Sequence, residues 1–150
     1  MATIDYGLGE QEIRCTYRTL TIYEHEFRDK DGEPADLIAD VMGKVRISVE
    51  DTGFEFNDDG SISAVIYDYT RDNWNAQKRA LWAMLRTAER IAKKNGTPCT
   101  PVPDFEAWDE SLLECEPDLR EVSLAVANEL QRGLFRAGAA ASGKTSEEEA

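Results

Sequence analysis

The sequence has few of the residues that most often form metal or disulfide sites. Its 150 residues include one histidine, His25, and three cysteines, Cys15, Cys99 and Cys115. The cysteines are odd in number and far apart, without the paired spacing of a zinc site or a disulfide framework. We therefore expect reduced thiols, no metal and no cofactor.

Basic residues are also scarce relative to acidic ones. The chain has 17 lysines and arginines against 30 aspartates and glutamates, which gives a formal net charge of −13. Such a charge repels phosphate backbones and favours solubility. The composition therefore argues against nucleic-acid binding.

Long apolar runs are missing as well. No run approaches the ~20 residues that span a bilayer, and the polar N-terminus lacks the regions of a signal peptide. With 41% hydrophobic residues, the chain can still bury a useful core without disulfides or metal. The expectation is one soluble, cytoplasmic domain that does not bind a membrane.

The clearest pattern that is present predicts a helix from Asp72 to Asn95. Asp72 or Asn73 supplies a capping oxygen at its start, and Asn95-Gly96 suits the left-handed backbone that ends a helix. Basic side chains occupy the face opposite the apolar one. The apolar stripe consists of Trp74, Leu81, Met84, Leu85 and Ala88, with Ile91 or Ala92. We interpret this stretch as a core helix and not as a catalytic element.

The N-terminal third is predicted to hold short elements. Residues Met1 to Gly9 are predicted to be a loose arm, and the alternation from Ile13 to Arg18 predicts a half-buried strand. Capping-box spacing between Thr21 and Glu24 predicts a short helix. A second short helix is predicted after Pro34; its apolar face consists of Leu37, Ile38, Val41 and Met42, and Gly43 ends it.

Apolar residues at every second position predict strands at Val45 to Val49 and near Ile62 to Tyr67. These segments can pair as antiparallel strands. Phe54 and Phe56 either extend the first strand or form a hairpin with the second, since Asp58-Asp59-Gly60 is favourable turn chemistry.

Two further helices are predicted in the C-terminal half. Asp104 can cap a helix with Phe105, Trp108 and Leu112 on one side. A longer stripe follows Pro117 and consists of Leu119, Val122, Val126, Leu130 and Leu134. The predicted fold class is α+β, mainly α-helical, with helices packed around the Trp74–Asn95 helix and a small antiparallel β element from the N-terminal half. Residues 1–136 are predicted to form one domain and residues 137–150 a disordered tail.

Charges are segregated along the chain. Asp104 to Glu121 contains eight acidic residues against one arginine, a net charge of −7, whereas Ala76 to Lys94 has a net charge of +5. One interpretation is that these surfaces dock within the molecule through weak surface ion pairs. The other is that they join successive copies head to tail, which predicts a salt-sensitive homo-oligomer.

The apparent active-site motifs lack the structural context that their chemistry requires. Gly138 to Thr145 matches a phosphate loop, but that loop requires a preceding strand and a following helix, and only five residues follow Thr145. We judge the match spurious. His25 and its two neighbouring glutamates point in different directions on a helix and cannot enclose one metal ion. Cysteine catalysis would need His25 beside a distant cysteine, without any local signature. No catalytic residue is predicted.

Three separated segments carry a resemblance to a known family. They are Thr19-Leu20 with Tyr23, Glu26 and Phe27; Trp74 with Leu81-Trp82-Ala83-Met84 and Thr87-Ala88; and Pro103-Asp104-Phe105-Glu106-Ala107-Trp108. In this order and over residues 10–115, the chain resembles the tail assembly chaperones of long-tailed, siphovirus-type bacteriophages and prophages. The residues that carry the resemblance are packing residues.

The resemblance implies a non-enzymatic role in virion morphogenesis. Members of this family bind the tape measure protein, keep it soluble and help recruit tail tube subunits. They act in the bacterial host cytoplasm and are absent from the mature virion. Many are also made in a longer form by ribosomal frameshifting, and the codons for Gly143-Lys144-Thr145 are a possible slippery site.

Leu134 and Phe135 lie next to the predicted tail and are interpreted as the apolar residues held least firmly by the core. We therefore predict that they contact the partner and that serine at both positions reduces capture without unfolding. The alternative function is an acidic phage inhibitor that mimics nucleic acid and binds a host protein. The basic Trp74 helix argues against such mimicry.

Overall fold

The fold is α+β and mainly helical, as predicted, and the part of the chain that the structure describes contains two small antiparallel sheets. The computed structural model describes residues 2–7, 9–42, 54–65, 71–115 and 118–136. In chain order, the elements are β1 (Thr3–Asp5), β2 (Glu10–Glu12), α1 (Tyr17–Glu26), α2 (Leu37–Met42), β3 (Phe54–Phe56), β4 (Ile62–Val65), α3 (Arg71–Asn95), α4 (Phe105–Ser111), a 3₁₀ turn (Leu112–Glu114), α5 (Leu119–Leu130) and a π-helical segment (Gln131–Arg136).

Four sequence-based predictions fall outside the described residues. They are the strand at Val45 to Val49, the helix end at Gly43, the phosphate-loop match at Gly138 to Thr145 and the disordered tail at residues 137–150.

Helix α3 is the centre of the fold, which confirms the prediction. Helices α1, α2, α4 and α5 all contact it. It ends at Asn95, and the next residue, Gly96, has a φ of +72°, the left-handed conformation that glycine adopts without strain. Its most buried apolar side chains among the described residues are Ala80, Leu81, Trp82, Ala83, Met84 and Leu85.

The predicted loose arm at Met1 to Gly9 is wrong. β1 pairs antiparallel with β2, with Thr3 opposite Glu12 and Asp5 opposite Glu10. Ile4 and Tyr6 are buried in the core. This segment is ordered by residues far away in the sequence, because the Trp108 indole Nε1 donates a hydrogen bond to the Tyr6 hydroxyl at 2.9 Å.

Helix α1 begins earlier than predicted. Thr16 caps it, accepting a hydrogen bond from the Arg18 amide, while the Thr19 hydroxyl accepts one from the Thr16 amide. Thr21 therefore lies inside the helix, and the predicted strand to Arg18 is wrong. Ile13 and Cys15 are nevertheless buried, as their alternation indicated.

The predicted short helix after Pro34 is α2, with Leu37 and Val41 buried. Of the two alternatives for the β segments, the structure contains the hairpin of β3 with β4, in which Phe54 lies opposite Val65. Its turn includes Gly60, with a φ of +88°.

The C-terminal helices carry the predicted apolar faces. Asp104 caps α4 by accepting a hydrogen bond from the Ala107 amide at 2.9 Å. Four residues of the predicted stripe in α5 and the following segment are buried, namely Val122, Val126, Leu130 and Leu134. The α-helix changes to π-helical geometry from Gln131, a change that apolar spacing does not predict.

Candidate partner-binding surfaces

The three segments that carry the resemblance meet in one aromatic cluster. The ring centroid of Phe27 lies 5.0 Å from that of Tyr23, 5.8 Å from Trp82 and 4.9 Å from Phe105, all in edge-to-face arrangements. Trp108 lies 5.9 Å from Phe105. Such pairs add stability beyond the area that they bury. These residues are therefore one packing unit built from α1, α3 and α4.

Hydrogen bonds fix the same three segments relative to one another. The hydroxyl groups of Thr19 and Thr87 lie 2.7 Å apart, both in buried residues. The Trp82 indole Nε1 donates to the Pro103 carbonyl at 3.0 Å. Buried polar groups are stable when they are paired in this way. The cluster is the scaffold that positions the surfaces described next.

A basic groove of about 270 Å³ lies between α1 and α3. It has three arginines and one histidine against a single glutamate. Arg18 and Arg90 are exposed and make no ion pair with any other described residue. Its lining residues are Arg18, Thr21, Ile22, His25, Glu26, Trp82, Arg86 and Arg90. The groove is therefore a site of local positive charge on a strongly acidic chain.

Arg86 is the fixed group of this groove. Its Nη1 donates to the Glu89 carboxylate at 3.1 Å and to the Val102 carbonyl at 3.0 Å. Its guanidinium lies 5.6 Å from the centroid of the Trp82 ring, a cation–π arrangement. The Arg86 Nε is buried and has no hydrogen-bond partner among the described residues. The side chain is thus pre-organised while one of its donors is unused.

An acidic ridge lies on α4 and the 3₁₀ turn that follows it. It consists of Glu106, Glu110, Leu113 and Glu114, all exposed. Leu113 is 83% exposed, which is unusual for a large apolar side chain flanked by carboxylates. Glu106 and Glu110 are four residues apart in α4 and share one side of that helix, and Glu114 follows in the 3₁₀ turn. The ridge is therefore suited to contact a basic surface with an apolar pocket.

Part of the predicted charge complementarity is used inside the molecule. Lys78 of α3 donates to Asp109 of α4, with the Nζ and Oδ1 atoms 2.9 Å apart. Asp109 is thereby oriented toward α3, whereas the glutamates of the acidic ridge remain exposed. The intramolecular ion pairing expected from the sequence thus involves Asp109. The glutamates of the acidic ridge remain exposed and can contact another molecule.

The predicted partner contacts need a correction. Leu134 is only 8% exposed and belongs to the core cluster, so its supposed weak hold on the core is wrong. The physical reason is the π-helical segment, which keeps the chain packed beyond α5. The side chain of Phe135 lies outside the described residues. Partner binding by these two residues stays an untested prediction.

A buried carboxylate anchors the π-helical segment. Glu129 is 1% exposed and accepts a hydrogen bond from the Cys15 amide at 2.9 Å. The Arg132 guanidinium pairs with both oxygens of that carboxylate. Burial, aided by the charge of Glu129, raises the pKa of the Cys15 thiol to about 12. A thiol in this state is a poor nucleophile, so the cluster supports structure and not cysteine catalysis.

Other sequence candidates are separated in space. His25 lines the basic groove, whereas Cys15 packs against Gly133 and Glu129. In the part of the chain that the structure describes, no group of three metal-binding side chains is assembled. Within the same ranges, no helix has the length and apolar character needed to cross a membrane.

Sequence reasoning missed Arg18 and Leu113 as surface candidates. Arg18, Thr21, Ile22 and His25 follow one helical stripe, but only with the correct start of α1 does that stripe face Arg86. For Leu113 the sequence signal was weaker. It is a second leucine directly after Leu112, and since Leu112 belongs to the inward side of the helix, its neighbour faces another direction. The candidate site is thus a pair of charged surfaces on one aromatic scaffold. Comparison with protein-family models, with curated proteins and with solved structures finds no match to this chain.

Proposed function

We propose that this protein is a phage tail assembly chaperone that binds the tape measure protein and keeps it soluble. The observation that carries the proposal is the aromatic cluster. Segments that resemble the family are far apart in sequence, yet Phe27, Trp82 and Phe105 are in mutual contact. A pattern of residues that packs as one unit is stronger support than the same residues scattered over a surface.

The charged surface suits such a role physically. A tape measure chain exposes long apolar helical faces before assembly, and a small acidic protein that covers them opposes their coalescence. Tyr17, 73% exposed, is a large apolar side chain available for contact among the described residues. Many weak contacts along a repetitive partner would reinforce one another by avidity.

The proposal includes the later steps of tail morphogenesis. The bound protein helps bring tail tube subunits to the tape measure in the bacterial cytoplasm and leaves before the virion is complete. It requires no catalytic group and no cofactor. Absence of this chain from purified virions, measured by mass spectrometry, is the expected result.

The principal experiment measures the soluble fraction of the longest neighbouring tail protein, expressed with and without this chain. We expect a higher soluble fraction and co-purification of the two proteins. Tyr17→Ser should reduce capture at an unchanged melting temperature. Lys94→Ser, also at an exposed helical position, is the matched control and should leave capture unchanged.

A longer, frameshifted form is part of the same proposal. The expected site is the codon run for Gly143-Lys144-Thr145, and mass spectrometry of the products of the native gene would detect the extended chain. Unchanged solubility and no co-purification, with the short and the longer form alike, would contradict the chaperone assignment. Capture of a host DNA-binding protein instead would favour the acidic inhibitor.

A further inference from the structure

We propose that the basic groove between α1 and α3 is the docking site for the acidic ridge of a second copy of this protein. The groove provides Arg18, Arg86 and Arg90, and the ridge provides Glu106, Glu110 and Glu114. The occupant is thus argued from charge complementarity of two surfaces on the same chain. The proposal is independent of the chaperone function, because it concerns association of the purified protein alone.

The groove has features that a merely solvated basic face would not need. Arg86 is held by Glu89, Val102 and the Trp82 ring, so little side-chain entropy is lost when it binds a carboxylate. The Arg86 Nε is itself buried, so the contact with a second copy uses the 30% of the side chain that is exposed. A carboxylate approaching between Arg86 and Arg90 would gain a charge-assisted hydrogen bond.

The ridge also contributes one exposed apolar side chain to the contact. Leu113, 83% exposed, is flanked by the carboxylates of Glu110 and Glu114. Ile22 and Trp82 line the groove but are only 7% and 2% exposed, so the apolar surface removed from water on docking is mainly that of Leu113. The flanking glutamates meet Arg18 and Arg90, and these charge pairs carry most of the complementarity.

Salt provides a test because general repulsion and specific contact respond to it over different ranges. A chain of net charge −13 repels other copies, but this long-range repulsion is already largely screened at about 0.1 M salt, where the Debye length is about 10 Å. Contacts between the groove and the ridge are short-ranged and weaken further as the Debye length falls to about 3 Å at 1 M. We expect sedimentation velocity to show association near ~0.1 M salt and dissociation near ~1 M salt.

Charge reversal tests the two surfaces separately. Arg18→Glu with Arg90→Glu makes the groove acidic, and Glu110→Lys with Glu114→Lys makes the ridge basic. Each double variant alone should associate roughly tenfold more weakly than the wild type, since two attractive pairs become repulsive. An equimolar mixture of the two should associate again, because every groove then has a ridge of opposite charge.

The matched control is Glu24→Lys with Glu33→Lys, two exposed positions outside the ridge that give the same change in net charge. It should associate at least as strongly as the wild type, because it lowers the general repulsion. Equal loss of association in this control and in the ridge variant would overturn the proposal. So would a wild-type monomer at both low and high salt. Circular dichroism verifies that each variant is folded, and the wild-type salt series does not depend on any variant.

Discussion

At the scale of single residues, Gly133 has the least space for a side chain among the glycines that the structure describes. A Cβ atom there would lie 2.0 Å from the Cys15 carbonyl oxygen, which is far inside van der Waals contact. We expect Gly133→Ala to lower the free energy of unfolding by about 2 to 3 kcal/mol through overpacking. Urea denaturation gives the value.

Gly96→Ala is the control for that substitution. Gly96 has a φ of +72° but no atom within 4 Å of an added Cβ, so alanine there meets only backbone strain. Its expected cost is about 1 kcal/mol. If Gly133→Ala cost no more than Gly96→Ala, the close approach of the π-helical segment to Cys15 would be wrong.

Leu134 is expected to behave as a core residue. Because it is only 8% exposed, Leu134→Ser should lower the free energy of unfolding by about 2 to 5 kcal/mol, a loss comparable to that of other buried leucines. Leu113→Ser, at a position 83% exposed, should change it by less than about 0.5 kcal/mol. Chemical denaturation of both variants compares them directly, and similar stability of the two would contradict the burial of Leu134.

At the scale of elements, the start of α1 provides a matched pair of threonines. Thr16→Ala removes the cap of the helix and should cost about 1 kcal/mol in the free energy of unfolding. Thr21→Ala removes a hydroxyl in the helix interior, whose contact with the Tyr17 carbonyl is 3.5 Å long, and should be nearly neutral. Thermal unfolding distinguishes the two. A larger loss of stability for Thr21→Ala than for Thr16→Ala would instead support the start of α1 at Thr21 that the sequence predicts.

Elements with strong local signals were predictable. α3 has an apolar stripe, a basic face and a glycine at its end, and α4 has Asp104 as a cap, so periodicity and capping chemistry located both. β1 and β2 have three residues each and are too short for such a pattern. Their pairing is stabilised by Tyr6 against Trp108, a contact that no window of sequence contains.

The start of α1 and the surfaces depended on tertiary structure in the same way. Thr16 and Thr21 are both suitable as the cap of α1. In the structure, Thr16 is the cap, and Thr19, inside the helix, forms a hydrogen bond with Thr87 of α3. Opposite charges in the α3 and α4 segments were evident from composition. Arg18 joined the basic side only because α1 packs along α3. Local sequence patterns therefore predicted the charged segments of the site. Tertiary packing determined which of their side chains lie next to one another.

At the scale of the whole molecule, stability should fall in alkaline solution. Burial raises the pKa of Cys15 from 9.0 to about 12 and raises that of Tyr23 well above its ordinary value of 10.0. The unfolded chain releases these protons first, so stability is full below pH 9 and decreases as the pH rises toward 12. Each group contributes a slope of up to about 1.4 kcal/mol per pH unit.

Urea midpoints at a series of pH values from 8 upward measure this effect. Tyr23→Phe removes one of the ionising groups together with its hydrogen bond to Asp40. The variant should be less stable at pH 8 but should lose stability less steeply above pH 10. An equally steep loss in the variant would show that Tyr23 does not contribute.

The pairing of the N-terminal hairpin with late parts of the chain has a consequence during synthesis. Tyr6 binds Trp108 across 102 residues, and Cys15 binds Glu129 across 114. The ribosome therefore releases β1 and β2 long before these partner residues have been synthesised. Ile4 and Ile13 stay exposed to solvent in the nascent chain during that time. Native packing of β1 and β2 is possible only after α5 has emerged, so the core closes late in translation.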